Sequence, residues 1–222
     1  MSGMLVRRIF VRGMGRGDRT TYLNYNNAVK AKLPTAPVPP PALEICILAG
    51  GLSSRMGRDK ARLRSGGQSL LARVRSVAAE TPWPVRVIRR DLVPRCGPLG
   101  GVCTALQTTR AKAVLFLACD MPFVTAKWIG KLVKLNRVRR LAVFTLGESG
   151  PGFPFLLRRA AMPQVEEQMA ARRFSLQTLA AKCHAKMIRV PGGARLLFNV
   201  NTQADWRTAR GFLSVRIRKS HS

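Results

Sequence analysis

Ile45-Cys46-Ile47-Leu48-Ala49 is an apolar run that stops abruptly at Gly50-Gly51. A short run of this kind with β-branched members, bounded by glycines, reads as a buried strand entering a tight loop. Glycine there permits positive φ and lets the backbone come close to a ligand. The loop that follows carries Arg55, Arg58 and Lys60, with Asp59 as its only acid. A Gly-rich turn after a strand, with exposed amides and cations, suits a polyphosphate. The string is neither the GxxxxGK[ST] phosphate loop nor the GxGxxG dinucleotide turn.

A second run, Ala113 to Cys119, is also apolar throughout and ends at Asp120. Continuous rather than alternating hydrophobicity is the pattern of a parallel strand buried on both faces. Ligands of open α/β sheets gather at the carboxyl ends of such strands, which places Asp120 in a site. A carboxylate there can bind Mg²⁺, and Mg²⁺ carries triphosphate charge. Between the two runs, Leu70, Leu71, Val74, Val77 and Ala78 fall on one helical face. Thr81-Pro82-Trp83-Pro84 ends that helix, and Val85 to Ile88 reads as a strand. From Asp91 to Gly101, Pro98 and the glycines, Gly97 among them, shape a loop at a helix N-terminus. Amides and the helix dipole favour an anion there. The alternation of strands and helices predicts a Rossmann-like, doubly wound α/β domain with a mainly parallel sheet.

Thr125 is placed to cap a helix with Trp128, Ile129, Leu132, Val133 and Leu135 on its apolar face. Leu141 to Leu146 reads as a strand, Gly147 to Gly152 as a turn or flexible loop, and Phe153 to Leu157 as another strand. Helices are expected over Gln164 to Arg172 and from Ser175, and a strand over Met187 to Val190. Alternation then sets Asn199 and Asn201 on one face of a strand end. Thr202 and Asp205 form a near capping box for the last helix.

The 222 residues are enough for one domain with extensions. We read residues 1–41 as a basic, Pro-rich, disordered extension, 42–213 as the folded domain and 214–222 as a basic, frayed tail. The first segment is basic enough to mimic a transit peptide but has no apolar stretch of the secretory kind. A basic arm that touches RNA or a partner is the functional alternative. No apolar run approaches the roughly 18 residues of a membrane span. The five cysteines are scattered and form no CxxC pair, which argues for a reducing cytoplasm. With His184 and His221 the only histidines, zinc or histidine-based catalysis is not expected. The net charge of +29 draws in polyanions, but the cations are spread along the chain rather than gathered in a stripe. That argues against specific nucleic-acid binding and for non-specific sticking to RNA at low salt.

The ordered set Leu48, Ala49, Gly50, Gly51, Ser53, Arg55, Met56, Gly57, Asp59, Lys60 resembles the opening motif of the molybdenum cofactor guanylyltransferase family. The resemblance continues through Asp91-x-x-Pro-x-x-Gly97-Pro98-Leu99-Gly100-Gly101, the Cys119-Asp120-Met121-Pro122 turn, and Asn199-Val200-Asn201-Thr202. It spans about residues 43 to 211. It implies transfer of GMP from GTP to the phosphate of molybdopterin (or its molybdenum-loaded form), with release of pyrophosphate, and molybdoenzyme maturation partners. By the same resemblance, Arg55 and Lys60 hold the triphosphate. Leu48 to Gly51, Asp91 and Gly97 address the nucleotide, Asp120 is the magnesium ligand, and Asn199 and Asn201 lie near the acceptor.

The chain departs from the family pattern in two places. Gln203 stands where the family has a proline. Only Thr81 to Pro84 intervenes where the family has a further strand and a base-contacting residue, so a sheet one strand shorter is expected. This leaves GTP against CTP open. A CTP-using relative, a sugar-phosphate nucleotidyltransferase and a non-catalytic NTP- or RNA-binding paralogue remain as alternatives.

Overall fold

The computed structural model describes residues 41–50, 63–65, 67–92, 96–136, 140–191 and 195–219, and the side chains up to 213. The expected extension at 1–41 lies outside them except for Pro41. Strand β1 (Leu43–Leu48) is buried at every position. It pairs in parallel with β4 (Val85–Ile88) on one side and β5 (Ala113–Ala118) on the other. Strand β7 (Gly150–Arg158) runs antiparallel to β5 and to β6 (Ala142–Gly147), and β8 (Lys186–Arg189) lies parallel to β6. The sheet order is β4-β1-β5-β7-β6-β8. A small hairpin of β2 (Arg64–Ser65) and β3 (Gln68–Ser69) precedes the first helix.

The central runs are apolar throughout because both faces of the sheet are covered. On one face Ile45, Ile47, Leu115 and Leu117 meet α1 (Leu70–Ala79) through Leu71, Val74 and Ala78. The same face meets α3 (Ala126–Lys134) through Trp128, Ile129 and Leu132. On the other, Cys46, Leu48, Val114 and Phe116 meet α2 (Gly97–Thr108), α4 (Met162–Ala170) and α5 (Leu176–Lys182). Each large side chain buried this way is worth about 1.5–3 kcal/mol, so the two layers hold the sheet firmly. Phe144 and Phe155 stack across β6 and β7 with ring centroids 4.4 Å apart, and Phe116 stacks on Phe155 at 4.9 Å. The doubly wound, mainly parallel α/β fold is thus as expected.

Helix starts follow the expected chemistry. Ser69, Thr125 and Ser175 accept from the amides of Ala72, Trp128 and Thr178. Thr202 and Asp205 exchange bonds at the start of α6 (Gln203–Lys219), a reciprocal capping box.

Local expectations are refined at three places. Of the turn and the flexible loop open for Gly147 to Gly152, the turn is found: β6 and β7 close into a hairpin over Glu148-Ser149, with Gly150 at φ 99° supplying the turn. The ladder slips between Phe144 and Thr145, and the Thr145 hydroxyl donates to the Pro154 carbonyl at 2.6 Å inside that irregularity. Residues 195–201 are turn and irregular backbone rather than a strand end, because no neighbouring strand pairs with them. The basic segment from 214 begins as helix, as α6 runs on to Lys219. At the other side of the sheet β4 is the edge strand and pairs directly with β1.

Candidate active site

The carboxyl ends of β1, β4, β5, β6 and β8 all point to one pole, and the candidate residues collect there. Leu48 and Ala49 are tied to both neighbours: the Ala49 amide donates to the Ile88 carbonyl at 2.8 Å, and the Cys119 amide to the Leu48 carbonyl at 3.1 Å. Gly50 follows, pressed against β4's extension. A Cβ on Gly50 would sit 2.9 Å from the Arg89 carbonyl oxygen and 3.6 Å from the Asp91 carboxylate. Only glycine lets β1's end and the Arg89 main chain lie this close.

Asp91 is wedged between β1 and α2. Its Oδ1 lies 3.3 Å from where a Cβ on Gly101 would stand, a position also 3.1 Å from both Leu48 methyls. The adjoining backbone is pinned to the helix: the Leu92 amide donates to Thr104 Oγ1 at 2.9 Å, and that hydroxyl donates to the Gly100 carbonyl at 2.9 Å. Partial burial pushes the Asp91 carboxyl above the usual carboxylate range. Gly97 opens α2 at φ 55°, and Pro98 fills the first turn, where a missing amide hydrogen costs nothing. No side chain caps this helix.

On the other flank Asp120 follows β5. The Val200 amide donates to the Asp120 carbonyl at 2.9 Å, which brings the Asn199-Val200-Asn201 segment alongside. Val200 is fully buried, while both asparagines face solvent, so the expected alternation holds although the strand does not. The Asn201 amide is held by Asp205 Oδ2 at 2.9 Å. Leu48, Ala49, Gly50, Asp91, Gly97, Asp120, Asn199 and Asn201 therefore share one pole. Gly51, Arg55 and Lys60 lie outside the described residues.

Sequence reasoning missed the neighbouring cavity of about 860 Å³. It runs from Pro98, past the β6–β7 hairpin and the start of α5, to Arg189 and Asn199. Phe153, Phe174 and Phe198 contribute to its walls, and Glu148 is the acid among its lining residues. An acid at a strand-end turn in so basic a chain was the available signal. Among the described residues no trio of His, Cys, Asp or Glu is placed to hold a metal ion. All five cysteines are free, and burial pushes the Cys46 thiol up to about 12.

This sheet order, with the candidate residues gathered at its carboxyl pole, defines a Rossmann-like α/β class of fold. Solved structures share the fold. Molybdopterin-guanine dinucleotide biosynthesis protein A from Archaeoglobus fulgidus superposes with a TM-score of 0.62 at 17% identity, over 77% of this chain and 98% of that one. 4-diphosphocytidyl-2C-methyl-D-erythritol synthase from Anaerococcus prevotii does so at 0.60 and 12%, over 78% of this chain and 99% of that one. Residues 45–185 match the model of the MobA-like NTP transferase domain, and the chain belongs to that family. It is 32% identical to the probable molybdenum cofactor guanylyltransferase of Trichormus variabilis, over 76% of this chain and 91% of the relative. It is 29% identical to that of Carboxydothermus hydrogenoformans, over 78% of this chain and 98% of the relative. The Trichormus alignment covers 191 positions, more than 76% of 222 residues supplies, so the relative carries residues this chain lacks.

Proposed function

We propose that the chain transfers GMP from GTP to the terminal phosphate of molybdopterin, releasing pyrophosphate, as a step of molybdenum cofactor biosynthesis in the cytoplasm. The observation that carries this reading is the single hydrogen bond from Val200 to Asp120. This backbone bond holds the Asn199–Asn201 segment beside the residue that ends β5, which supports reading an acceptor side next to Asp120. The relatives' names support the substrates.

In this reading the backbone of Leu48 to Gly51, with Asp91 and Gly97, holds the nucleoside, and Arg55 and Lys60 neutralise the triphosphate. Asn199 and Asn201 orient the acceptor so that its phosphate oxygen attacks the α-phosphorus in line. The O–P bond to the acceptor forms as the bond to pyrophosphate breaks. An anionic nucleophile needs little general-base help, so positioning and charge neutralisation supply the rate.

Asp120 fits Mg²⁺. It is half-buried at a strand end, and among the described residues it belongs to no group of three or more His, Cys, Asp or Glu. Mg²⁺ is commonly held by one or two carboxylates and completes its shell with water and phosphate oxygens. Bound there, it would offset triphosphate charge. Molybdoenzymes that receive the finished cofactor are the partners this role implies.

The test is Mg²⁺-dependent binding and turnover with GTP, CTP and ATP at moderate salt, alongside Asp120→Asn. GTP-selective binding with turnover abolished in the variant is expected. CTP preference would reassign the base, and equal, salt-sensitive binding of all three would remove the enzyme reading, because non-specific polyanion binding falls steeply with salt.

A further inference from the structure

We propose that Glu148 recognises the hydrogen-bonding edge of the acceptor's pterin ring inside the cavity beside the β6–β7 hairpin. This rests on the transferase reading above and adds to it the group that selects the acceptor.

The chain has 10 acids against 39 lysines and arginines, and its substrates are phosphorylated. An acid at this pole works against their binding unless it meets a donor. Glu148 lines the cavity at the tip of a hairpin that is contacted on two sides. A Cβ on Gly147 would lie 3.4 Å from Leu197 Cδ1, and one on Gly150 would lie 3.6 Å from Gln177 Cγ. Both are ordinary contact distances, so Leu197 and Gln177, which also line the cavity, pack against the hairpin that carries Glu148. Phe153, Phe174 and Phe198 supply apolar walls suited to a flat heterocycle.

A ligand matched to one carboxylate between aromatic walls is a planar ring with two adjacent donors. A carboxylate accepts two such bonds side by side, and charge-assisted bonds of this kind are the strong ones. The pterin edge, with its 2-amino group and neighbouring ring N–H, presents that pair. Guanine presents the same pair, but in the transferase reading above the nucleotide is addressed at Gly50 and Asp91, which do not line this cavity. The pterin is therefore the ring left for the cavity.

The experiment uses the full chain, wild type and Glu148→Gln, with 6-hydroxymethylpterin and lumazine as fluorescent probes and Mg²⁺·GTP as a separate ligand. Lumazine has a carbonyl in place of the 2-amino group. The wild type should prefer the pterin. Glu148→Gln should weaken pterin binding by about tenfold, leave lumazine unchanged and so erase the preference. GTP affinity and melting temperature should not move, because Glu148 is an exposed turn residue. An undiminished pterin preference in the variant overturns the proposal, as does an equal loss of both probes or a loss confined to GTP. A wild type that binds Mg²⁺·GTP but neither probe overturns the acceptor reading as well. One that binds no GTP sinks the transferase reading itself.

Discussion

Gly50→Ala tests whether the close approach of β1 to β4's extension builds the nucleotide site. The new methyl would stand 2.9 Å from the Arg89 carbonyl oxygen and 3.2 Å from its carbon. Both are backbone atoms, so no side-chain rotation relieves the contact, and the strand end must move by a few tenths of an ångström. Overpacking of this kind costs about 1–3 kcal/mol. Alanine restricts the unfolded chain and returns about 0.4–1 kcal/mol. The net loss is about 1–2 kcal/mol, which at about 2–4 °C per kcal/mol for a domain of this size lowers Tm by about 2–8 °C. The same shift displaces Asp91, whose carboxylate faces Gly50 at 3.6 Å, so Mg²⁺·GTP affinity should fall about tenfold, equal to about 1.4 kcal/mol. Gly130→Ala is the control. It lies within α3 with nothing inside 4 Å of a new Cβ, and alanine there should stabilise by up to about 1 kcal/mol. Calorimetry and GTP titration on both variants decide the matter. If Gly50→Ala melts with the wild type and binds GTP equally well while Gly130→Ala behaves as described, the steric account of this site is wrong.

Asp91→Asn should raise stability at neutral pH while weakening nucleotide binding. The folded-state pKa of Asp91 is raised by burial, so the folded protein holds this proton more tightly than the unfolded chain. Stability from this group is then lost as pH rises from the unfolded pKa through the raised folded one, and the asparagine variant should gain over wild type above that window and not below it. Denaturant midpoints across pH 3–8 read this directly, and a gain confined to acid would contradict it. Glu44→Ala removes the acceptor of Arg86 Nε and of the Thr109 hydroxyl, the latter at 2.6 Å, at the opposite end of the sheet. Arg86 keeps the Ala105 carbonyl and the Thr108 hydroxyl and is partly solvated, so a loss of about 2 kcal/mol with unchanged kcat/KM is expected from chemical denaturation and steady-state assays.

The sequence alone determined the layout of the strands and the ends they present. Ile45 to Ala49 and Ala113 to Cys119 could only be strands covered on both faces, because an apolar run with no polar alternation has no face to give to water. The residues just after each run then had to lie at the carboxyl pole, which made Gly50 and Asp120 legible as site residues before any coordinates. Caps at Ser69, Thr125 and Ser175, and the Thr202–Asp205 box, were equally readable because they are local chemistry. Tertiary structure decided what depends on neighbours far apart in the chain. The antiparallel insertion of β7 between β5 and β6 follows from pairing, which a run of apolar residues does not encode. The joining of Asn199–Asn201 to Asp120 follows from one backbone bond across 80 residues of chain. The cavity at Glu148 is lined by segments far apart in the chain, from Pro98 through the β6–β7 hairpin to Asn199, and the hairpin's glycines, in the sequence, spelled a turn or loop with no sign of those neighbours. Periodicity records how each segment meets water, whereas a site is made by which segments meet one another.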